Sequence, residues 1–336
     1  MEKKSFNNLS FSISVVIPTY NRIKILRKCL PTFLATKVRG VQFIIIDNNS
    51  NDETWNYLQT IALRDKRVEI FKNLENIGAS KSILKGYKKV KSPYVLNLSD
   101  QYPMVGDYIA SCLEIFQKNN EVSLIHHEFD VWQKKKFDEK YTKSLSGNNT
   151  INSVFLLSGV LSGFAFRMRD YQQDYFPVNG NVLYPQVKIA LELARRHSVA
   201  FINDCGMVRN NIQISISDKK KQQKRPDCMG INERLTYLLE LKNPLLIQKS
   251  AIGITDWAIN ILIKLKKDEN RNDKKFVKAL AFTLNNTTPY YLISLLKIRR
   301  FKHAFFSLSC LILKPSFVIN YFWFLVFFIS RLINKI

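Results

Sequence analysis

Three short polar clusters each follow an apolar run. Pro18-Thr19-Tyr20-Asn21-Arg22 follows Ile13–Ile17, Asp47-Asn48-Asn49-Ser50 follows Val41–Ile46, and Ser99-Asp100-Gln101 follows Tyr94–Leu98. Hydroxyls, amides, a guanidinium and two carboxylates leaving apolar strands can hydrogen-bond a base or ribose or pair with a diphosphate. A carboxylate at such a strand end can also ligate a hard divalent cation. Asp52 reads as a helix cap. Lys81 and Lys85 stand one helical turn apart, within reach of a diphosphate, although a solvated helix face explains them too. His126 and His127 are neighbours on a strand and point to opposite faces, so at most one of them faces a site.

The elements between these clusters must position them. Apolar residues at helical spacing follow the first strand (Leu26, Cys29, Leu30, Phe33, Leu34), with Pro31 expected to kink or shorten that helix. Trp55, Leu58, Ile61 and Ala62 mark a second helix, and Val68–Phe71 a third strand. Residues 77–90 form a third helix, Val105–Phe116 a fourth, and Val122–His126 a fifth strand. Strand and helix alternating at this interval imply right-handed βαβ units on a mostly parallel sheet. The strands are apolar throughout, as expected where both faces are covered. Ligands of such sheets collect outside the carboxyl ends of the strands, so the three clusters are expected on one rim. Residues 132–150 read as a polar loop, Val182–Ala194 as a helix, and 217–225 as a charged linker before a region of helical patterns.

The chain has 336 residues and 46% apolar content, enough for a substantial core and too much for wholesale disorder. Its five cysteines are scattered without a C-x-x-C pair, which argues against a disulfide framework or a zinc site. The formal charge is +24, from 51 Lys and Arg against 27 Asp and Glu. Residues 1–215 carry a net +10 and residues 216–336 a net +14. Such a balance calls for an anionic partner: nucleic acid, a membrane surface or a phosphorylated substrate. The apolar run 316–330 would reach about 22 Å as a helix, short of the roughly 30 Å hydrocarbon core. With the basic residues before it, the run implies an interfacial or partly inserted segment.

No Gly-rich dinucleotide fingerprint and no phosphate-binding G-x-x-x-x-G-K-[ST] occurs. Instead SVVIPTYNR (14–22), IIIDNNSNDET (44–54), NIGASKS (76–82) and YVLNLSDQ (94–101) resemble glycosyltransferase family 2 in order and interval. SGFAFR (162–167) and LYPQ (183–186) resemble the second half of such domains in bacterial O-antigen and capsule transferases. The resemblance implies a GT-A fold over 1–215, with a helical, basic, membrane-associating region over 216–336. It implies an inverting transfer from a nucleotide-sugar donor to a lipid-linked saccharide, at the cytoplasmic face of a bacterial inner membrane. Pro18, Thr19, Tyr20, Arg22, Asp47, Asn49, Asn76, Gly78, Ser99 and Asp100 are the implied nucleotide or donor residues.

The family's D-x-D pattern implies Mg²⁺ or Mn²⁺ on Asp100, but Ser99-Asp100-Gln101-Tyr102 lacks the second carboxylate. Inverting transfer needs a base for the acceptor hydroxyl. The family takes it from the second half of the domain, where Tyr184-Pro185-Gln186 offers no carboxylate. Asp174 is the first candidate and Asp130 the second, ahead of Asp170 and Glu128. Arg167 and Arg209 are candidate diphosphate contacts by charge alone. Two other classes stand against this reading: a non-catalytic transferase-like scaffold, and a basic nucleic-acid-binding protein. No nucleic acid is expected, because no binding module is visible and the aromatic residues cluster apart from the basic ones.

Overall fold

The computed structural model describes residues 11–127, 141–144, 150–151, 154, 161–171, 184–202, 206–207, 235–237 and 239–240. Contacts divide the chain into two units, 1–222 and 223–336. The second holds the short helical stretches at 235–237 and 239–240, with Leu235 fully buried. The linker at 217–225 and the later helical patterns lie outside the described residues.

The first unit opens with β1 (Ile13–Thr19), α1 (Ile23–Leu34), β2 (Val41–Asp47), α2 (Thr54–Arg64), β3 (Val68–Lys72), α3 (Ala79–Tyr87) and β4 (Tyr94–Asn97). After β4 come β5 (Met104–Val105), α4 (Tyr108–Lys118), β6 (Val122–His127) and β7 (Tyr141–Ser144). It closes with β8 (Phe164–Arg167), α5 (Pro185–Arg196), β9 (Ser198–Ile202) and β10 (Gly206–Met207). The main sheet has the order β3-β2-β1-β4-β8-β6-β9-β7. β3, β2, β1 and β4 run parallel; β8 is antiparallel to both β4 and β6; β6 and β9 are parallel. This is the mostly parallel, helix-flanked sheet of a GT-A fold. The chain winds outward from β1 to β3 and then returns to place β4 on the other side of β1. The strand order therefore reverses between β1 and β4, and ligands of such sheets bind outside the carboxyl ends of the strands at that point.

Burial explains the strands. Every residue of β1 and β2 is buried, as continuous apolar runs require when both faces are covered. α1 buries the face its spacing indicated, Leu26, Cys29, Leu30 and Phe33, and α4 buries Ile109, Cys112, Ile115 and Phe116.

Several expectations need correction. Pro18 does not end β1, which runs to Thr19. Thr19 O accepts from Asn48 N at 2.9 Å on the β2 side, and Val16 O accepts from Leu98 N at 3.1 Å on the β4 side. Alternation then turns the Pro18 nitrogen toward β4, past the last β1–β4 pair, where no ladder bond is lost. Pro31 leaves α1 unbroken because it lies in the final turn, ahead of a closing Ala35 N to Pro31 O bond. The fourth helix begins at Tyr108 rather than Val105. Asp107 caps it by accepting from Ala110 N at 3.1 Å, and Gly106 turns the chain with φ of 64°. The expected polar loop at 132–150 contains β7, paired antiparallel with β9.

Placement at a bacterial inner membrane, peripheral or partly inserted, is also corrected. Among the described residues no helix is long and apolar enough to cross a membrane. The longest of them, α1 and α5, have 12 residues each, about 18 Å of helix. The run at 316–330 lies outside the described residues.

α3 crosses β1 closely enough that one glycine sets their spacing. A Cβ on Gly86 would stand 2.5 Å from Cγ1 of Val16, a stiff side chain in a fully buried strand. Gly86→Ala is expected to destabilise the fold by about 1–3 kcal/mol despite the better helix propensity of alanine. Urea unfolding measures this. Val16→Ala in the same chain should recover part of the loss, and strictly additive effects would refute the contact.

Candidate active site

The site grows from the carboxyl ends of β1, β2 and β4. Thr19 closes β1 and Asp47 closes β2, paired in register with each other. Two turns then leave the sheet and are tied together. Asn21 N donates to Ser50 Oγ at 2.9 Å, and Asn51 N to Asn21 Oδ1 at 2.9 Å. Arg22 N donates to Thr54 Oγ1 at 3.1 Å, and Ile23 N to Asp52 Oδ2 at 3.3 Å. Asp52 also accepts from Thr54 N at 3.0 Å. The cap position of α2 is Glu53, so Asp52 stands one residue ahead of the place expected for it, and it ties the start of α2 to the start of α1. Asn21 and Asn49 take φ of 49° and 64°, a region that asparagine tolerates better than most residues.

Asp47 is fully buried. Its carboxylate accepts from the Ser50 hydroxyl and, at 3.2 Å, from Ser50 N. It therefore holds the turn after β2 at least as much as it offers itself to a ligand. Asn48 ties that turn to the next: its Oδ1 accepts from Asn73 Nδ2 at 2.9 Å and from Ile77 N at 3.0 Å. Its Nδ2 donates to Asn76 Oδ1 at 2.6 Å. Asn76 also accepts from Gly78 N, and Gly78 sits at φ of 85° in open space, so conformation rather than room selects glycine there. Lys85 Nζ donates to Asn73 Oδ1 at 3.0 Å, while Lys81 is exposed.

Asp100 lies where the strand order reverses and is 4% exposed. Thr19 Oγ1 donates to its Oδ2 at 2.7 Å, and Arg22 Nε stands 3.8 Å from the same oxygen. With its carboxamide oxygen toward Arg22, Gln101 accepts from both terminal guanidinium nitrogens at 3.1 Å. Burial raises the Asp100 carboxyl above its ordinary value; the Arg22 charge, then the Thr19 hydroxyl, offset part of the rise. Ser99 supports this turn, its N donating to Ser162 Oγ at 3.1 Å and its Oγ accepting from Gln101 N at 3.3 Å. Tyr20 is 39% exposed on the same rim, after the buried Pro18.

All ten implied donor residues thus lie along one rim, with Thr19, Arg22 and Asp100 in direct contact. Asp174, Asp130, Glu128 and Arg209 lie outside the described residues. Arg167 is corrected: it stands opposite Tyr94, at the amino end of β4 and away from the rim. Its guanidinium donates to Val122 O at 2.6 Å and to Asn119 O at 2.7 Å, and stacks on Tyr94 and Phe116. This is a buried lock between β8 and the end of α4. Asp170 accepts from the Ser123 hydroxyl. Sequence reasoning passed over Asn48 and Asn73; the run of asparagines after β2 and β3 was the available signal.

The donor set does not fit the divalent cation that the D-x-D resemblance implies. Asp100 contributes one carboxylate, one of whose oxygens already faces a hydroxyl and a guanidinium. Among the described residues no three His, Cys, Asp or Glu gather into a metal site. Cys29, whose thiol feels the Asp100 charge, is pushed up to about 12, first by burial and then by that charge, and offers no thiolate.

Two outcomes follow. Asp100→Asn is expected to melt at or above the wild type at pH 7.5. A buried acid whose carboxyl is raised costs stability once pH exceeds that raised value, and the gap should close as pH falls toward 4. Thermal melts across pH check it, and a gap that widens in acid contradicts it. Asn48→Ala removes three hydrogen bonds from the turns and should cost about 2–3 kcal/mol in chemical denaturation.

The family model for Glycosyl transferase family 2 matches residues 14–176. An uncharacterised glycosyltransferase of Rickettsia conorii is 23% identical over 292 residues, 85% of this chain and 46% of that protein. The GalNAc(5)-diNAcBac-PP-undecaprenol beta-1,3-glucosyltransferase of Campylobacter jejuni is 26% identical over 110 residues, 32% of this chain and 35% of that protein. The match thus spans less than half the length of each of these relatives. Among solved structures, residues 1–349 of S. aureus TarS align with a TM-score of 0.50 at 11% identity, covering 84% of this chain and 90% of that one. That likeness concerns the fold. The rim lies inside the family match, and residues 14–176 of this chain are a glycosyl transferase family 2 domain.

Proposed function

We propose that the chain is an inverting glycosyltransferase. It moves a sugar from a nucleotide-sugar donor to a lipid-linked saccharide in the synthesis of an O-antigen or capsule. The activity belongs to a domain over 1–215, with 216–336 as a separate helical, basic region. The observation that carries the reading is the Thr19–Asp100–Arg22 contact at the strand-order reversal, inside the family match. Ligands of such sheets bind there, and a half-buried guanidinium faces the charge a nucleoside diphosphate brings.

In the reaction, an acceptor hydroxyl oxygen forms the new bond to the anomeric carbon from the face opposite the leaving group. The bond from that carbon to the donor phosphate oxygen breaks, and the nucleoside diphosphate departs with the electron pair. The hydroxyl proton passes to a carboxylate, with Asp174 the first residue to test and Asp130 the second. The resemblance gives Pro18, Thr19, Tyr20, Asp47 and Asn49 to base and ribose; of these Tyr20 and Asn49 reach the surface, while Pro18, Thr19 and Asp47 support them from within. Asn76, Gly78 and Ser99 shape the turns beside it. A lipid-linked acceptor is supported by the Campylobacter relative, whose name specifies one. The positive charge of 216–336 suits such a diphosphate-linked substrate.

The experiment is turnover of UDP-, GDP- and dTDP-sugars with undecaprenyl-diphosphate-linked acceptors by the full chain, read as released nucleoside diphosphate and extended lipid. Transfer is expected with at least one donor, and Asp100→Ala should lower it by about 100-fold or more. Donor binding without transfer identifies the scaffold reading. No binding and no transfer refutes the proposal.

A further inference from the structure

The residues around Asp100 differ from a carboxylate pair in a particular way. The position after Asp100 holds an amide, and the next holds Tyr102. The cation next to Asp100 is a side chain of the same chain, Arg22, whose Nε lies 3.8 Å from Oδ2. Gln101 grips the other end of that guanidinium, accepting from Nη1 and Nη2 at 3.1 Å. A guanidinium has five N–H donors. The Nε edge faces Asp100 as an ion pair, and Gln101 takes the two inward N–H groups of the terminal nitrogens. One N–H on each terminal nitrogen is left, directed to opposite edges of the plane, and each can donate to a phosphate oxygen beside the full positive charge. Arg22 also has its backbone fixed, since its N–H is bound by Thr54. Its side chain is 21% exposed, so it can meet a ligand.

This inference rests on the reading of the site as a nucleotide-sugar site. We propose that the donor's diphosphate is received by the Arg22 guanidinium, held between Asp100 and Gln101, and not by a divalent cation on Asp100. Asp100 then acts as a positioning residue for Arg22 and as its counter-charge. A divalent cation would have to share Oδ2 with Thr19 and Arg22, or take Oδ1 alone beside a fixed positive charge. As the donor's glycosidic bond breaks, negative charge gathers on the leaving diphosphate, and the positive charge of Arg22, held in place by Asp100 and Gln101, stabilises it. Any Mg²⁺ or Mn²⁺ that does bind would be brought by phosphate oxygens and water rather than by a site built in the chain.

The test is calorimetric titration of the full chain with UDP, GDP and dTDP. Each is run in excess EDTA and in millimolar Mn²⁺, beside the matching nucleosides without phosphate. The expected result is diphosphate binding in EDTA within about twofold of that in Mn²⁺. Arg22→Gln should weaken diphosphate binding in EDTA by about tenfold or more and leave nucleoside binding unchanged. Arg22→Lys, which keeps the charge and loses the fork, should fall between them. Gln101→Ala, which frees the guanidinium without removing it, should weaken the diphosphate by a smaller factor. Thermal melts confirm that each variant is folded. Diphosphate binding that appears only with Mn²⁺ overturns this inference and leaves the proposed function standing. So does binding in EDTA that Arg22→Gln does not alter. No binding of any nucleotide under either condition overturns both.

Discussion

A carboxylate at the end of a buried strand is costly unless something charged or hydrogen-bonded meets it, and Asp100 is the point on which the rim is organised. It is 4% exposed, and its two partners come from β1 and the turn after it. That contact fastens β1 to the end of β4, the two strands between which the order reverses. It also fixes the direction of Arg22. Burial still outweighs the partners, since the carboxyl stays above its ordinary value. A buried carboxyl that is raised despite two partners is better explained by what it does for a ligand than by packing.

The remaining turns form a scaffold of short side-chain bonds around that centre. Asp47 and Ser50 close the turn after β2, Asn21 and Asp52 tie it to the turn after β1, and Asn48 ties it to the turn after β3. Few of these bonds are worth much singly. Together they hold backbone N–H groups and side chains in fixed positions without the flexibility of ordinary loops. Such preorganisation lets polar groups stabilise charge that develops during a reaction. The tight approach of Gly86 to Val16 serves the same end from below, bringing α3 close to β1 and setting where the turn before it emerges.

Much of this was legible in the sequence, because parallel strands and their helices write themselves in apolar runs and helical spacing. β1 to β4, β6, α1 and α2 follow from those signals, and so does the gathering of three polar clusters on one edge. The signals fail where partners are distant. β7 reads as a polar loop, since a strand at the edge of a sheet is not obliged to be apolar. The expected end of β1 at Pro18 took the proline as a breaker; whether its missing N–H matters depends on which neighbour the nitrogen faces. Arg167 reads as a free cation by charge alone, yet three backbone carbonyls and two rings bury it. No local pattern reveals that.

Gln101 is the residue whose meaning changed most. In the sequence it is the middle position of a D-x-D pattern that starts at Asp100, with Tyr102 where the second acid would stand. In the structure it is a neutral acceptor, and neutrality has a consequence. Asp100 and Arg22 alone sum to zero charge, so the pair offers directed N–H donors to an anion without a net negative field. A carboxylate at position 101 would also have gripped Arg22, but the cluster would then carry a net negative charge. A diphosphate would approach it only with a cation in between. With an amide there, orientation is kept and repulsion is removed. The absent second acid at position 102 and the neutral grip of Gln101 on Arg22 thus act in the same direction, leaving the guanidinium to meet phosphate.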